Sequence, residues 1–369
     1  MHICYITNII TKFSGGERFF IELAQEMRKR GHEVTLIGGG SDPIAERDLK
    51  EQGIEVYTTS VLDVRKLPYQ QPKNTVRMLF RLNERIGECG KDVILHTNNH
   101  FPNLFSYKLR IPVVGSIYHL EDLAQYNSIL AKYMGYIIQD ILEINAPYTV
   151  LHVISRHVAN LIRRKTIIPR PIVVIPVGIR LERHLEVYRS PEPGLFVMIG
   201  RFETRKHYDH AIYAMKLVKK VNPDIKLVII GDGPMKPMIE SLIEKYSLRK
   251  NVILLGNVDE ERKLDLLGKA EALIHLGYPE GFGLVIIEAY AVGTPAIAYN
   301  VAPLNELIKH GKTGVLVPKD DVVRLALSIS TFRKDKFDVR YLKDIAREYN
   351  FENIAPKFEK LYKNLIYQR

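Results

Sequence analysis

Two glutamates, Glu280 and Glu288, stand with seven residues between them in the run Tyr278-Pro279-Glu280-Gly281-Phe282-Gly283-Leu284-Val285-Ile286-Ile287-Glu288. Gly281 and Gly283 let the backbone turn tightly and bring a ligand close to it. Ahead of them, the apolar run from Ala270 to Leu276 has the length and composition of a buried parallel strand. Behind them, Leu284 to Val292 has a helical pattern that Gly293 and Pro295 stop. A strand, a glycine loop and a helix N-terminus in series offer free N–H groups and a positive dipole end, which suit an anion such as a phosphate. The two carboxylates would repel a phosphate but accept hydrogen bonds from sugar hydroxyls. Phosphate held by backbone and hydroxyls held by carboxylates is the chemistry of a nucleotide-sugar site.

At these residues the chain resembles the retaining glycosyltransferases of family GT4, whose hallmark is a glutamate pair with Gly-Phe-Gly-Leu between them, here Glu280 through Glu288. The plain alternative is a strand–turn–helix unit with solvated glutamates, because glycines are common at such turns. The rest of the chain has to decide between them.

Composition narrows the class. A length of 369 residues suits two domains of ordinary size, and 46% hydrophobic with 26% charged residues is ordinary for a globular protein. No apolar run approaches the ~20 residues of a membrane helix. Met1-His2-Ile3-Cys4-Tyr5-Ile6 enters a strand at once, without the layout of a signal peptide. Cys4 and Cys89 are the two cysteines, both in segments that read as folded, so a disulfide framework is not expected and the cytoplasm is. The net charge of +11 calls for anionic partners: membrane surfaces, acidic or phosphorylated substrates, or nucleic acid. No zinc-ligand cluster, RNP-like strand or helix-turn-helix pattern accompanies the charge, so nucleic acid ranks last.

The elements that would position the glutamates repeat one pattern. Residues 2–7 form a strand, Gly15-Gly16 opens a helix through Arg30, and Glu33–Ile37 is a second strand. This is the opening of a doubly wound sheet, although Gly38-Gly39-Gly40 stands where a dinucleotide site would carry an acid. Strands are predicted at Ile54–Tyr57, Asp92–His96, Pro112–Tyr118 and Tyr148–Ile154, with helices between them. His119 follows the fifth strand of this domain, at the edge where open sheets bind ligands; His96, His100 and His152 are alternatives. The run Ile129–Ile144 with Tyr126, Tyr133 and Tyr136 precedes Arg156, Arg163, Arg164, Lys165 and Arg170. It reads either as a docking site for an anionic membrane or as a core helix beside an ordinary charged one. Residues 180–194 have no clear period and read as a linker. A second alternation begins with strand Leu195–Ile199, Gly200-Arg201 and a helix from Arg205 to Val221. It continues with Ile225–Ile230, Gly231-Asp232-Gly233-Pro234, Asn251–Leu255, the glutamate motif, Ala296–Tyr299 and Gly314–Val317. A terminal helix ends near Tyr367.

The resemblance extends over nearly the whole chain, most specifically over 13–37, 195–233 and 275–317. It implies a GT-B fold: an acceptor-side Rossmann-like domain (1–178) and a nucleotide-sugar domain (179–347) facing across a cleft, and a terminal helix (348–369) crossing back to the first. Gly200-Arg201 with Lys206 and Asp209 is similar to the family's Gly-Arg…Lys-Gly-x-Asp signature, with His207 where the family has glycine. The resemblance implies that Arg201 and Lys206 meet the donor diphosphate, a fork and a point charge respectively. Arg205 is the substitute if the register slips by one. Gly231 and the Gly281-Phe282-Gly283-Leu284 backbone would adjoin the donor, Glu288 the ribose and Glu280 the transferred sugar. His119 and the Gly15-Gly16 pair would approach from the first domain, and domain closure would exclude water.

The implied activity is retaining transfer of a hexose from a nucleoside diphosphate sugar to a glycan or lipid-linked acceptor, in polysaccharide or glycolipid synthesis. No Asp-x-Asp occurs in the chain and the cation pair can neutralise the diphosphate, so no metal or other cofactor is expected. A phosphorylase or nucleotide-sugar epimerase of related fold shares the phosphate loops and is one alternative. A non-catalytic partner subunit is another, although it would usually have lost Glu280, His119 or the cation pair.

Overall fold

The computed structural model describes residues 1–7, 9–11, 15–58, 92–98, 111–118 and 142–367. The chain divides into two units, Met1–Ile179 with Phe351–Arg369, and Arg180–Asn350.

In the first unit the described elements are β1 (His2–Thr7), α1 (Gly15–Lys29), β2 (Glu33–Gly38), α2 (Pro43–Glu51), β3 (Glu55–Thr58), β4 (Val93–Asn98), β5 (Val113–Ile117), β6 (Val150–Val153), α3 (Arg156–Lys165) and β7 (Ile172–Val174). They form a seven-stranded sheet in the order β3-β2-β1-β4-β5-β6-β7. Neighbouring strands pair in parallel, with Ile3 opposite Val34 on one side and Ile94 on the other. Parallel strands covered on both faces need apolar residues at nearly every position, and β4 and β5 are buried throughout. Local chemistry sets the helix starts. Asp42 caps α2 with Pro43 in its first turn, and the Ser155 hydroxyl accepts the Val158 N–H at 3.2 Å at the start of α3. His119, His100, Cys89 and the Tyr126–Tyr136 run lie outside the described residues.

The helix Phe351–Tyr367 completes this unit from the far end of the sequence. Phe351 stacks on Phe19 at 5.8 Å, and Phe358 meets Phe19 at the same centroid distance. Beneath them runs a buried polar chain. Tyr5 and Tyr362 hydroxyls are 3.2 Å apart, Tyr362 reaches His96 Nδ1 at 2.6 Å, His96 Nε2 reaches Ser116 Oγ at 2.7 Å, and Ser116 Oγ reaches His152 Nδ1 at 2.6 Å. His152 Nε2 ends the chain on the Ile175 carbonyl at 2.8 Å. A carbonyl only accepts, so His152 Nε2 donates. Burial keeps both rings neutral, so His152 Nδ1 accepts from Ser116, and His96 then donates to Ser116 and accepts from Tyr362. His96 and His152 are therefore structural residues of the core.

Burial pulls the His152 imidazole down to about 4, against a weaker opposing bond to Ile175, and burial then the nearby His152 pull His96 well below its usual value. Well above pH 6.5 neither folded nor unfolded histidine carries a proton, so this stability is complete. As pH falls below the unfolded value of about 6.5 the unfolded chain takes up protons that the folded chain refuses. His152 alone is expected to cost about 3 kcal/mol by pH 4, with His96 acting in the same direction. Urea midpoints measured from pH 7.5 to 4 check this; a flat profile between pH 6.5 and 4.5 excludes it.

The second unit holds α4 (Glu182–Glu186), β8 (Leu195–Ile199), α5 (Tyr208–Val221), β9 (Lys226–Ile230), α6 (Lys236–Lys245), β10 (Val252–Gly256), α7 (Glu260–Lys269), β11 (Ala272–His275), α8 (Leu284–Ala291), β12 (Ala296–Tyr299), α9 (Leu304–Leu307), β13 (Gly314–Val317), α10 (Val322–Thr331) and α11 (Val339–Arg347). Its six strands run β10-β9-β8-β11-β12-β13, all parallel. Two differences from the sequence reading stand out. Residues 180–194 are not all linker, because they include α4 with Leu181 fully buried at its start. The helix expected from Arg205 is split: Thr204–Lys206 is a 3₁₀ turn, His207 is left-handed at φ 51°, and α5 starts at Tyr208. Burial, more than the neighbouring His210, holds the His207 imidazole below its usual value.

Candidate active site

In the second sheet the chain builds β8, β9 and β10 in one direction, then returns to place β11 on the other side of β8. The strand order reverses there, and the crevice beyond those carboxyl ends is where open sheets of this kind bind ligands. Three exit loops meet at that edge.

The β8 and β9 exits are packed backbone on backbone. Phe202 N–H donates to the Asp232 carbonyl at 2.9 Å, and Met235 N–H to the Phe202 carbonyl at 3.0 Å. A Cβ on Gly231 would lie 2.1 Å from the Gly200 carbonyl oxygen, and one on Gly233 2.7 Å from Phe202 N. Glycine at 231 is thus required by close packing of the two loops.

The third loop carries Glu280. Its Oε2 accepts from Lys206 Nζ at 2.5 Å, from His275 Nε2 at 3.2 Å and from Arg205 at 3.4 Å, while Oε1 accepts the Gly281 N–H at 3.2 Å. Lys206 and Glu280 side chains are 11% and 12% exposed, and His275 is 3% exposed at the end of β11. Burial by itself would push the Glu280 carboxyl up. The Lys206 charge, the His275 hydrogen bond and Arg205 together outweigh it and hold the group well below the usual carboxylate range. Around this carboxylate Arg201, Arg205 and Lys206 face Glu203 and Glu280, three cations against two anions. The positive excess lies beside the N-terminus of α8. Gly283 begins that helix at φ 96°, and no side chain caps it. An uncapped helix start, its dipole end and surplus positive charge are features that suit an anion.

The candidates named from the sequence fall as follows. Lys206 and Glu280 are in direct contact, whereas Arg201 is 72% exposed and reaches Glu203 at 3.4 Å. Arg205 is the arginine against Glu280. Gly281 bonds the Glu280 side chain, Phe282 is buried edge-on to Tyr349 at 5.6 Å, and Leu284 is the first residue of α8. Glu288, one turn on, pairs with Lys263 at 3.3 Å. In the first unit Gly15 and Gly16 open α1, and a Cβ on Gly16 would meet the Tyr118 ring at 3.1 Å. His119 lies outside the described residues. The sequence reading missed His275. Its signal was a lone imidazole inside an apolar strand, five residues before Glu280.

Residues 13–183 match the family model described as Glycosyltransferase Family 4, and residues 182–349 the one described as Glycosyl transferases group 1. The chain belongs to the group 1 glycosyltransferases. An uncharacterized glycosyltransferase of Methanocaldococcus jannaschii is 26% identical over 92% of both chains. An exopolysaccharide phosphotransferase of Streptomyces coelicolor is 34% identical over 47% of this chain and 19% of its own. The match spans less than half the length of that relative and of the glycogen synthases of Mycobacterium tuberculosis. Among solved structures, the Anabaena protein HepE in complex with UDP and glucose superposes with a TM-score of 0.74 at 16% identity, covering 99% of this chain and 100% of that one. The two parallel α/β units are those of the GT-B fold, and the chain carries its Glu280–Lys206–His275 cluster at the strand-order reversal of the second. Among the described residues no helix is long and apolar enough to cross a membrane.

Proposed function

We propose that the protein transfers a hexose from a nucleoside diphosphate sugar to a glycan or lipid-linked acceptor, with retention at the anomeric carbon and without a metal. The observation that carries this reading is the ionised Glu280 held by Lys206, His275 and Arg205 beside the uncapped start of α8. The diphosphate lies on the Phe282-Gly283-Leu284 backbone. Lys206, with the exposed Arg201, takes up the negative charge that grows as the bond from sugar carbon to phosphate oxygen breaks. Electrostatic stabilisation of this kind, preorganised in the fold, is usually the largest catalytic contribution. Glu280 accepts from hydroxyls of the sugar, and Glu288 from those of the ribose once Lys263 shares it. His119, which the family resemblance assigns to the transferred sugar, lies outside the described residues. Retention rests on the family resemblance, and a UDP-type donor on the likeness to HepE.

The acceptor class is supported by the first unit. Arg163, Arg164 and Lys165 are exposed at the end of α3, followed by Ile167 and Ile168 at 74% and 48% exposure. Apolar side chains beside a basic cluster suit the surface of an anionic membrane.

The test is release of nucleoside diphosphate over a panel of UDP-, GDP-, ADP- and dTDP-sugars, using chelator-treated protein with mixed glycan and lipid acceptors. One donor is expected to turn over in wild type and to fail in Lys206→Ala and Glu288→Ala. Strict dependence on Mg²⁺ or Mn²⁺ removes the metal-free part of the proposal. Absence of both turnover and donor binding replaces it with a non-catalytic partner role.

A further inference from the structure

His207 stands where the family resemblance calls for glycine, and it holds a left-handed backbone that a side chain makes costly. Its ring stacks on that of His210, with centroids 4.7 Å apart and planes 22° from parallel. Asp209 lies between them in the chain, and one ligand atom from each of the three residues falls within 4.8 Å of the others. The remaining nitrogens are already assigned. The Tyr278 backbone bonds the His207 ring, and the Tyr299 hydroxyl lies 2.7 Å from His210 Nδ1. That leaves His207 Nε2, which is buried with no hydrogen-bond partner, and His210 Nε2, which faces Asp209 Oδ2 at 3.8 Å. Metal-binding histidines have this arrangement, one nitrogen held by an outer hydrogen bond and the other left for the ion. Asp320 Oδ1 stands 3.8 Å from His210 Nδ1, on the Tyr299 side of the ring.

We propose that His207, Asp209 and His210 form a binding site for a divalent transition metal, zinc before others, with water as the fourth ligand. Two imidazoles and carboxylate oxygens are a zinc-type donor set and a poor one for Mg²⁺ or Ca²⁺. Ligands at about 2.0–2.1 Å from a tetrahedral ion lie about 3.4 Å apart, so the cluster closes by little more than an ångström on binding. Asp209, about one-third exposed, has room to make that movement. The dipole at the start of α5 opposes a cation, and the Asp209 carboxylate, with Asp320 beyond it, offsets that opposition. The ion would pin the turn that follows Lys206 and thereby hold Lys206 on Glu280. This site requires no donor sugar and is separate from the anion site.

Calorimetric titration of chelator-treated full-length protein with Zn²⁺ is expected to show one saturable site. Co²⁺ in its place should give the visible absorption of a four-coordinate ion. His210→Ala and His207→Gly should each weaken Zn²⁺ binding at least about tenfold. The glycine variant suits the left-handed backbone and so tests binding without loss of folding. His310→Ala, an exposed histidine elsewhere in the unit, should leave the titration unchanged. No saturable binding, binding that survives both variants, or binding lost equally in His310→Ala would overturn the proposal.

Discussion

Replacing Glu280 by glutamine is expected to lower kcat/KM for the sugar donor by about 10²–10³-fold, the loss typical when a preorganised polar group at a reacting centre is removed. The variant keeps the side-chain shape but removes the charge that Lys206, His275 and Arg205 converge on. An amide has a single acceptor oxygen, so contacts to Lys206 and to a sugar hydroxyl then compete for it. The same change leaves Lys206, 11% exposed, with its charge uncompensated, and breaking such a pair costs about 3–5 kcal/mol. The two effects separate in the double variant Glu280→Gln/Lys206→Met, which removes the stranded cation. Its melting temperature should recover towards wild type while turnover stays low. Activity within a few-fold of wild type in Glu280→Gln would remove Glu280 from the sugar site.

The second large effect is on stability. Gly231→Ala is expected to destabilise the second unit by about 3–5 kcal/mol, combining strain at a positive φ with overpacking. Gly231 has φ 135°, and its added Cβ would sit 2.1 Å from the Gly200 carbonyl oxygen. The obstacle is backbone, so it cannot rotate away. Gly256→Ala provides the control, since Gly256 is also at positive φ but a Cβ there meets nothing within 4 Å. It should cost only the conformational part, about 1–2 kcal/mol. Denaturation midpoints for the two variants decide the matter; equal losses would show that the crossing of the exit loops carries no energetic weight. Displacing Gly200 also disturbs Arg201 to Lys206, so a higher KM for the donor should accompany the lost stability in Gly231→Ala alone.

The parallel architecture was legible because short, mainly apolar runs such as Leu195–Ile199 and Ala296–Tyr299 alternate with amphipathic helical stretches such as Gly15–Lys29 and Glu260–Lys269. Sequence also singled out Glu280 and Lys206, 74 residues apart in the chain and 2.5 Å apart in space. It did not reveal that they touch, since contact depends on the curl of the 3₁₀ turn at Thr204–Lys206. It named Arg201 ahead of Arg205, whereas the turn directs Arg205 to Glu280 and Arg201 to Glu203. His275 escaped because a histidine inside a strand shows its partner only when the following loop folds back over it. His96 and His152 were indistinguishable from ligand-facing histidines until the carbonyl of Ile175 fixed the direction of their hydrogen bonds.

The polar chain through the first unit passes through Tyr362, which belongs to a helix encoded after the whole second unit. During synthesis the first sheet therefore emerges with Phe19 and His96 still lacking Phe358 and Tyr362, while the second unit, continuous from Arg180 to Asn350, already has all its parts. The usual order, in which the leading domain matures first, is reversed in this topology. Until Tyr362 is made, the first unit exposes the apolar surface that Phe351 and Phe358 later cover, and chaperones are expected to bind it in that state.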